Sequence, residues 1–226
     1  MIDSADPLSW RGRDLDFTGA TFDGGDFAGV TFAAALDVFE AGRVSFRGAI
    51  FRSGYVSFHG TEFAGGEVTF EEARFELADV SFVAATFSGA RVSFRRAIFD
   101  TGRVLFERAM VSGGALAFDF AHFSGAQVSF NRLTTSGGRL SFEDASFSCS
   151  QVSFSGADFA RGSLSFGLSK FVEGRMPFDG ASFTGSQVAC DGAMFSGGNV
   201  DFSALSAGTP PTCFLEYRGQ TGVILA

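Results

Sequence analysis

Several residue types that usually carry chemistry are scarce in these 226 residues. Lysine occurs once, at Lys170, and the other 16 basic residues are arginine. With no basic run or basic tail, direct nucleic-acid binding is not expected. Histidine occurs twice, at His59 and His122, and cysteine three times, at Cys149, Cys190 and Cys213. Three cysteines in no paired spacing make neither a disulfide framework nor a metal motif. The start, Met1-Ile2-Asp3-Ser4-Ala5-Asp6-Pro7, has no basic segment followed by an apolar core, so no secretory leader is expected. No run approaches the ~20 apolar residues of a membrane span. These absences make a reducing, cytoplasmic setting the default expectation.

Phenylalanine, by contrast, occurs 31 times and glycine 30 times, far above ordinary usage. From Phe46 onward the phenylalanines recur at alternating steps of five and seven. One set runs Phe46, Phe58, Phe70, Phe82, Phe94, Phe106, Phe118, Phe130, Phe142, Phe154, Phe166 and Phe178, is replaced by Cys190, and resumes at Phe202. The second set follows five residues later: Phe51, Phe63, Phe75, Phe87, Phe99, Phe123, Phe147, Phe159, Phe171, Phe183 and Phe195, with Val111 and Thr135 as exceptions. A period held this long marks a solenoid. An amphipathic helix would repeat at three and four instead. Val or Leu, with Met176 the one variant, stands two residues before the first Phe of each unit and usually Ala two before the second. That alternation describes short strands pointing both residues inward. Glycine and small polar residues between them mark corners.

The exceptions set the size of the coil. Leu116, Leu140 and Leu164 replace Val at intervals of 24, and Val111 and Thr135 replace Phe at the same interval. Stacked residues in neighbouring coils should adjust to each other's size, because interiors are close-packed. A 24-residue coil with sides of five, seven, five and seven explains both sets, and a 12-residue coil explains neither. Cys190, at a phenylalanine position, reads as a small buried apolar residue.

The segment Phe17–Phe32 is the key to a family resemblance. Phe17, Phe22, Phe27 and Phe32 follow one another at strict fives, with small residues such as Ala20 and Val30 two before. This resembles the pentapeptide-repeat family over roughly residues 15–204. The resemblance implies an all-β, right-handed quadrilateral parallel β-helix, here of about eight coils. Residues 1–16, with Trp10 and Leu15, are expected to form an N-terminal cap, 17–204 the solenoid, and 205–226 a C-terminal cap or dimerisation segment. Phe214, Leu215, Tyr217, Val223, Ile224 and Leu225 are the candidate interface residues. Some members of the family dimerise through this end, and some bind DNA gyrase as mimics of DNA.

Charge bears on the mimic reading. Residues 1–40 carry eight acids against Arg11 and Arg13, whereas 41–142 carry nine acids against 11 bases. A sustained negative field is therefore confined to the N-terminal end. No catalytic constellation is visible. His59 and His122 sit on different units, and Glu71-Glu72 reads as solvated corner surface, not an acid–base couple. The Gly-Gly pairs open no helix and so are not phosphate loops. No enzyme activity, cofactor or metal is expected. The column Ser45, Ser57, Thr69, Ser81, Ser93, Ser129, Ser141, Ser153 and Ser165 is expected to face outward. As a hydroxyl ladder it suggests ice binding, but Leu105, Ala117 and Pro177 interrupt it. Three readings remain open: a rigid protein-binding scaffold, a gyrase-binding DNA mimic, and a self-assembling structural rod.

Overall fold

The computed structural model describes residues 14–32, 42–215 and 223–224. Trp10, Tyr217 and Leu225 lie outside the described residues. The chain is an all-β parallel solenoid with about 24 residues per turn. Each coil has four sides, and each side contributes one short strand. On the first face, Leu15–Asp16, Arg43–Ser45, Glu67–Thr69, Arg91–Ser93 and Ala115–Ala117 stack in parallel and continue through Ser141, Ser165 and Ala189. That is eight levels and seven coil-to-coil steps, so about seven turns. At about 4.8 Å per step the stack is roughly 34 Å long.

The expected register holds. Leu116 pairs with Leu140 and Leu140 with Leu164. Val111 pairs with Thr135 on the fourth face. The first coil is the exception. Leu15 pairs with Val44 and Thr31 with Glu62, offsets of 29 and 31, because residues 33–41 intervene between the strict-five coil and the next. Two faces also join into one 14-stranded sheet, since Thr134–Ser141 and Asp158–Ser165 run unbroken round the corner between the fourth and first faces.

Phenylalanine fills the interior in four columns. Phe46, Phe70, Phe94 and Phe118 stack at 4.7, 4.6 and 4.8 Å with nearly parallel rings. The second face repeats this from Phe51 through Phe75 to Phe99 at 4.7 and 4.8 Å, and the third from Phe58 through Phe82 to Phe106 at 4.7 Å each. Rings of the first and third columns meet edge-on: Phe94 and Phe106 are 5.8 Å apart at 85°. Offset stacks along the axis and perpendicular contacts across it are both favoured arrangements of the aromatic quadrupole. Phe46, Phe51, Phe58, Phe63, Phe70, Phe75, Phe82, Phe87, Phe94 and Phe99 are all fully buried.

The fourth column breaks after Phe87, where Val111 and Thr135 follow before Phe159 resumes. Leu133 stands at the neighbouring inward position that is usually Ala, and it too is fully buried. The larger side chain there offsets volume lost at Thr135. The match is incomplete in polarity, because the buried Thr135 Oγ1 has no hydrogen-bond partner.

The corners that follow the first and third faces are tight turns. In each, the residue three further on donates back: Ala49 N–H to Phe46 O at 3.0 Å, Ala97 N–H to Phe94 O at 3.0 Å. The residue just before that alanine has positive φ. Glycine fills the site in some coils, but Glu72, Ala84, Arg96, Arg108, Phe120, Arg132, Asp144 and Leu168 hold φ near 55–61°. Non-glycine residues enter this region at a cost, so the stacked coils on either side must enforce it. On the seven-residue sides glycine is needed for space as well. A Cβ on Gly102, whose φ is +79°, would stand 2.5 Å from Ala78 O in the coil below.

Two substitutions test this packing. Phe94→Ala should lower unfolding free energy by about 3–5 kcal/mol in a denaturant titration, and an unchanged midpoint would remove Phe94 from the core. Thr135→Val keeps the shape and deletes the unpartnered hydroxyl, so it should raise stability by about 1 kcal/mol; a loss of that size would mean the hydroxyl is satisfied.

Candidate functional surface

With the interior filled by phenylalanine, chemistry is left to the outward columns. These sit at fixed spacing, and their charges pair from coil to coil. Arg103 makes a two-pronged contact with Asp79 one coil below, Nη2–Oδ2 2.5 Å and Nε–Oδ1 3.1 Å. Arg52 grips Asp23 in the same way. Glu71 lies between Arg47 at 3.8 Å and Arg95 at 3.5 Å, and Glu72 reaches Arg47 at 3.3 Å. The adjacent carboxylates are thus separately engaged with arginines, as a solvated ion-pair cluster. Hydrogen bonds from Arg103 hold the Asp79 carboxyl below the usual aspartate range. Those from Arg52 and Ser53 do the same for Asp23, and Thr18 for Asp16. His59 and His122 are both exposed, on a corner and on the second face respectively. No cluster of three His, Cys, Asp or Glu side chains with metal-binding geometry occurs among the described residues.

The hydroxyl column corrects an expectation. It does not face freely into solvent: Ser57, Thr69, Ser81, Ser141 and Ser165 are buried, and Ser45, Ser93, Ser129 and Ser153 are half-buried. Except at Ser141, whose turn is closed through Asp119, its hydroxyls accept hydrogen bonds from the N–H two residues on, as at Glu71 N–H to Thr69 Oγ1, 3.1 Å, and Arg95 N–H to Ser93 Oγ, 3.3 Å. Small hydroxyls there shape the turn. Aspartate takes the same role in the first and last coils, with Asp16, Asp26 and Asp201 each accepting at 2.9 Å from two residues on. A carboxylate in every coil would stack like charges about 4.8 Å apart, which hydroxyls avoid. The buried ladder removes the flat hydroxyl face that ice binding would need.

The C-terminal candidates divide. Phe214, in the single helical turn α1 (Thr212–Leu215), is fully buried, with ring centroids 4.9 Å from Phe202, 6.0 Å from Phe166 and 6.1 Å from Phe195. It plugs the end of the rod and so cannot itself contact a partner. Leu215 and Ile224 are exposed and Val223 is half-buried. Val223–Ile224 adds a strand to the third face beside Val200 and Asp201. Cys190 is buried as expected, but its sulfur is bonded to Cys213, with Cα atoms 5.6 Å apart. The pairing was hidden because nothing in the spacing of three cysteines singles out two of them.

One exposed feature escaped the repeat. Phe120 occupies a positive-φ corner position, 39% exposed, with the Arg95 guanidinium 5.0 Å and the Arg96 guanidinium 6.0 Å from its ring. Within a pattern defined by buried phenylalanine, only its position two after Phe118 marks it as outward.

No family model matches the chain, and no curated protein does. Among solved structures it is similar to HetL, a pentapeptide repeat protein involved in heterocyst differentiation regulation in the cyanobacterium Nostoc sp. strain PCC 7120, at 10% identity over 81% of this chain and 89% of that one, with a TM-score of 0.23. It is also similar to QnrB1, a plasmid-mediated fluoroquinolone resistance protein, at 14% identity over 96% of this chain and 91% of that one, with a TM-score of 0.22.

The ion pairs give a pH signature. A carboxyl held low in the folded state contributes stability above its unfolded pKa and loses it as pH falls through the folded one. The stability difference between the wild type and Asp79→Asn should therefore be present at neutral pH and shrink as acid titrates the group below the ordinary aspartate value of 3.8. A difference that is constant from pH 7 to pH 2 would show that Asp79 gains nothing from Arg103. The chain is a four-sided parallel β-solenoid with about 24 residues per turn and inward phenylalanine columns.

Proposed function

We propose that this chain is a non-catalytic scaffold that binds another protein through its outward columns. The observation that supports the reading most is Phe120 on its arginine platform. A solvent-exposed aromatic backed by Arg95 and Arg96 has the composition of an interface hot spot, and it stands on a rod whose coils fix its position. The test uses the whole chain as bait beside Phe120→Gly, which removes the ring and suits the local φ of 59°. A partner retained by the wild type should be lost, or bind at least tenfold more weakly, with the variant. Equal retention of every partner would contradict this surface as the docking site.

A second reading, DNA mimicry toward gyrase, is favoured by the net charge of −8. Along the first corner, though, arginines at Arg47 and Arg95-Arg96 interrupt the acids at Glu71-Glu72, and only from Asp119 through Glu143-Asp144 to Asp191 is it free of basic residues; many acids are already paired with arginine. Such a surface lacks the continuous negative field of a duplex. The scaffold reading predicts no competition with DNA for gyrase and no loss of supercoiling; salt-sensitive competition would favour mimicry instead. Self-assembly through the C-terminal segment, the third reading, falls to Leu215, Val223 and Ile224, since Phe214 is inside.

A further inference from the structure

The first inward column holds phenylalanine in every described coil from Phe17 to Phe166 and then changes to Cys190. Cysteine is far smaller, so the last coil is left short of volume on that side. The shortage is made up by chain from beyond the coil, where α1 packs against Gln187–Ala189 and brings Phe214 over Phe166. The residue before Phe214 is Cys213, and it is bonded to Cys190. Three observations therefore meet at one point: a phenylalanine replaced by cysteine, an aromatic that refills the column from another segment, and a second cysteine beside it.

We propose that Cys190–Cys213 is a thiol–disulfide exchange site that locks the C-terminal cap onto the rod, with small thiols and disulfides of the glutathione class as its reactants. Cys190 is fully buried and Cys213 is half-buried, so attack falls on the Cys213 sulfur. An incoming thiolate forms a bond to Cys213 Sγ, the Cys190–Cys213 bond breaks, and Cys190 leaves with the electron pair and takes a proton. A second thiolate then attacks the added sulfur, releasing Cys213 as thiolate and one molecule of the small disulfide. Two thiols are oxidised and one disulfide is reduced; the reverse sequence relocks the cap. Cys149, the remaining cysteine, is exposed, and its thiol donates to Glu173 Oε2 at 2.8 Å, which disfavours its thiolate. It serves as an internal control.

The bond closes a loop with a sequence separation of 23. Removing such a crosslink should raise the opening equilibrium of the cap by about a hundredfold, from loop-closure entropy. The Phe202 amide reports on that opening, because it donates to Ile224 O in the cap at 2.9 Å, whereas the Phe94 amide bonds to Ala117 O within the rod at 2.7 Å. The experiment compares the full chain after oxidised glutathione and after dithiothreitol, by thiol counting in denaturant and by amide hydrogen exchange. The expected result is one titratable thiol against three, with Phe202 exchange about a hundredfold faster after reduction and Phe94 unchanged. Cys213→Ser should match the reduced chain without any reductant. Three thiols after oxidation, or equal Phe202 protection in both states, would overturn the lock. Parallel acceleration at Phe94 would overturn its confinement to the cap.

Discussion

Everything in this molecule depends on one coincidence of lengths. Parallel strands repeat at about 4.8 Å, and offset-stacked aromatic rings favour centroid separations that begin near the same value. A phenylalanine carried inward by a strand therefore meets its counterpart one coil away in a favourable stack, with no adjustment of either backbone. The columns from Phe46, Phe51 and Phe58 keep separations of 4.7 Å to the next coil. Because a first-face ring also meets third-face rings edge-on, each coil is held both to its neighbours and across its own width. Burial of each ring contributes on the order of 1.5–3 kcal/mol, repeated at nearly every side.

This constraint divides the chain into two kinds of position. Inward positions are held to phenylalanine, small aliphatics and alanine, and departures need local compensation, as Leu133 compensates for Thr135. Outward positions are free in size but not in charge, since each has a counterpart one coil above and below. The arginine–carboxylate pairs linking successive coils and the restriction of Asp16, Asp26 and Asp201 to the end coils follow from that stacking. Function, on this account, belongs to the outward columns, where Phe120 against Arg95 and Arg96 is the clearest departure from a plain solvated surface.

The four-sided coil and its 24-residue length were legible in the sequence, because phenylalanine occupies one inward position per side and its exceptions recur in step. Leu116, Leu140 and Leu164, each 24 residues apart, carry the register in the sequence. Less legible were features set by neighbours in space. The serine column alternates like an outward strand position, yet much of it is covered, and its hydroxyls close turns. The positive-φ corners at Glu72, Ala84 or Arg96 carry no glycine signal, because the strain is imposed by stacking and not by local preference. The Cys190–Cys213 bond joins residues whose spacing resembles no motif, and Phe214 was indistinguishable from other apolar residues of a terminal segment. Phe120 was masked by the abundance of its own residue type.

The claim on which the account stands is that residues 24 apart, not 12, are stacked neighbours. Spin labels on cysteines replacing His122 and Ser146, with Cys149 changed to serine, occupy paired positions on the second face. Labels at His122 and Thr134, 12 apart, stand on the second and fourth faces. Dipolar spectroscopy should find the first pair within contact range, near the strand spacing of about 4.8 Å broadened by the label arms, and the second pair separated by the width of the rod. A first pair held farther apart than the second would contradict the 24-residue coil and the phenylalanine columns built on it.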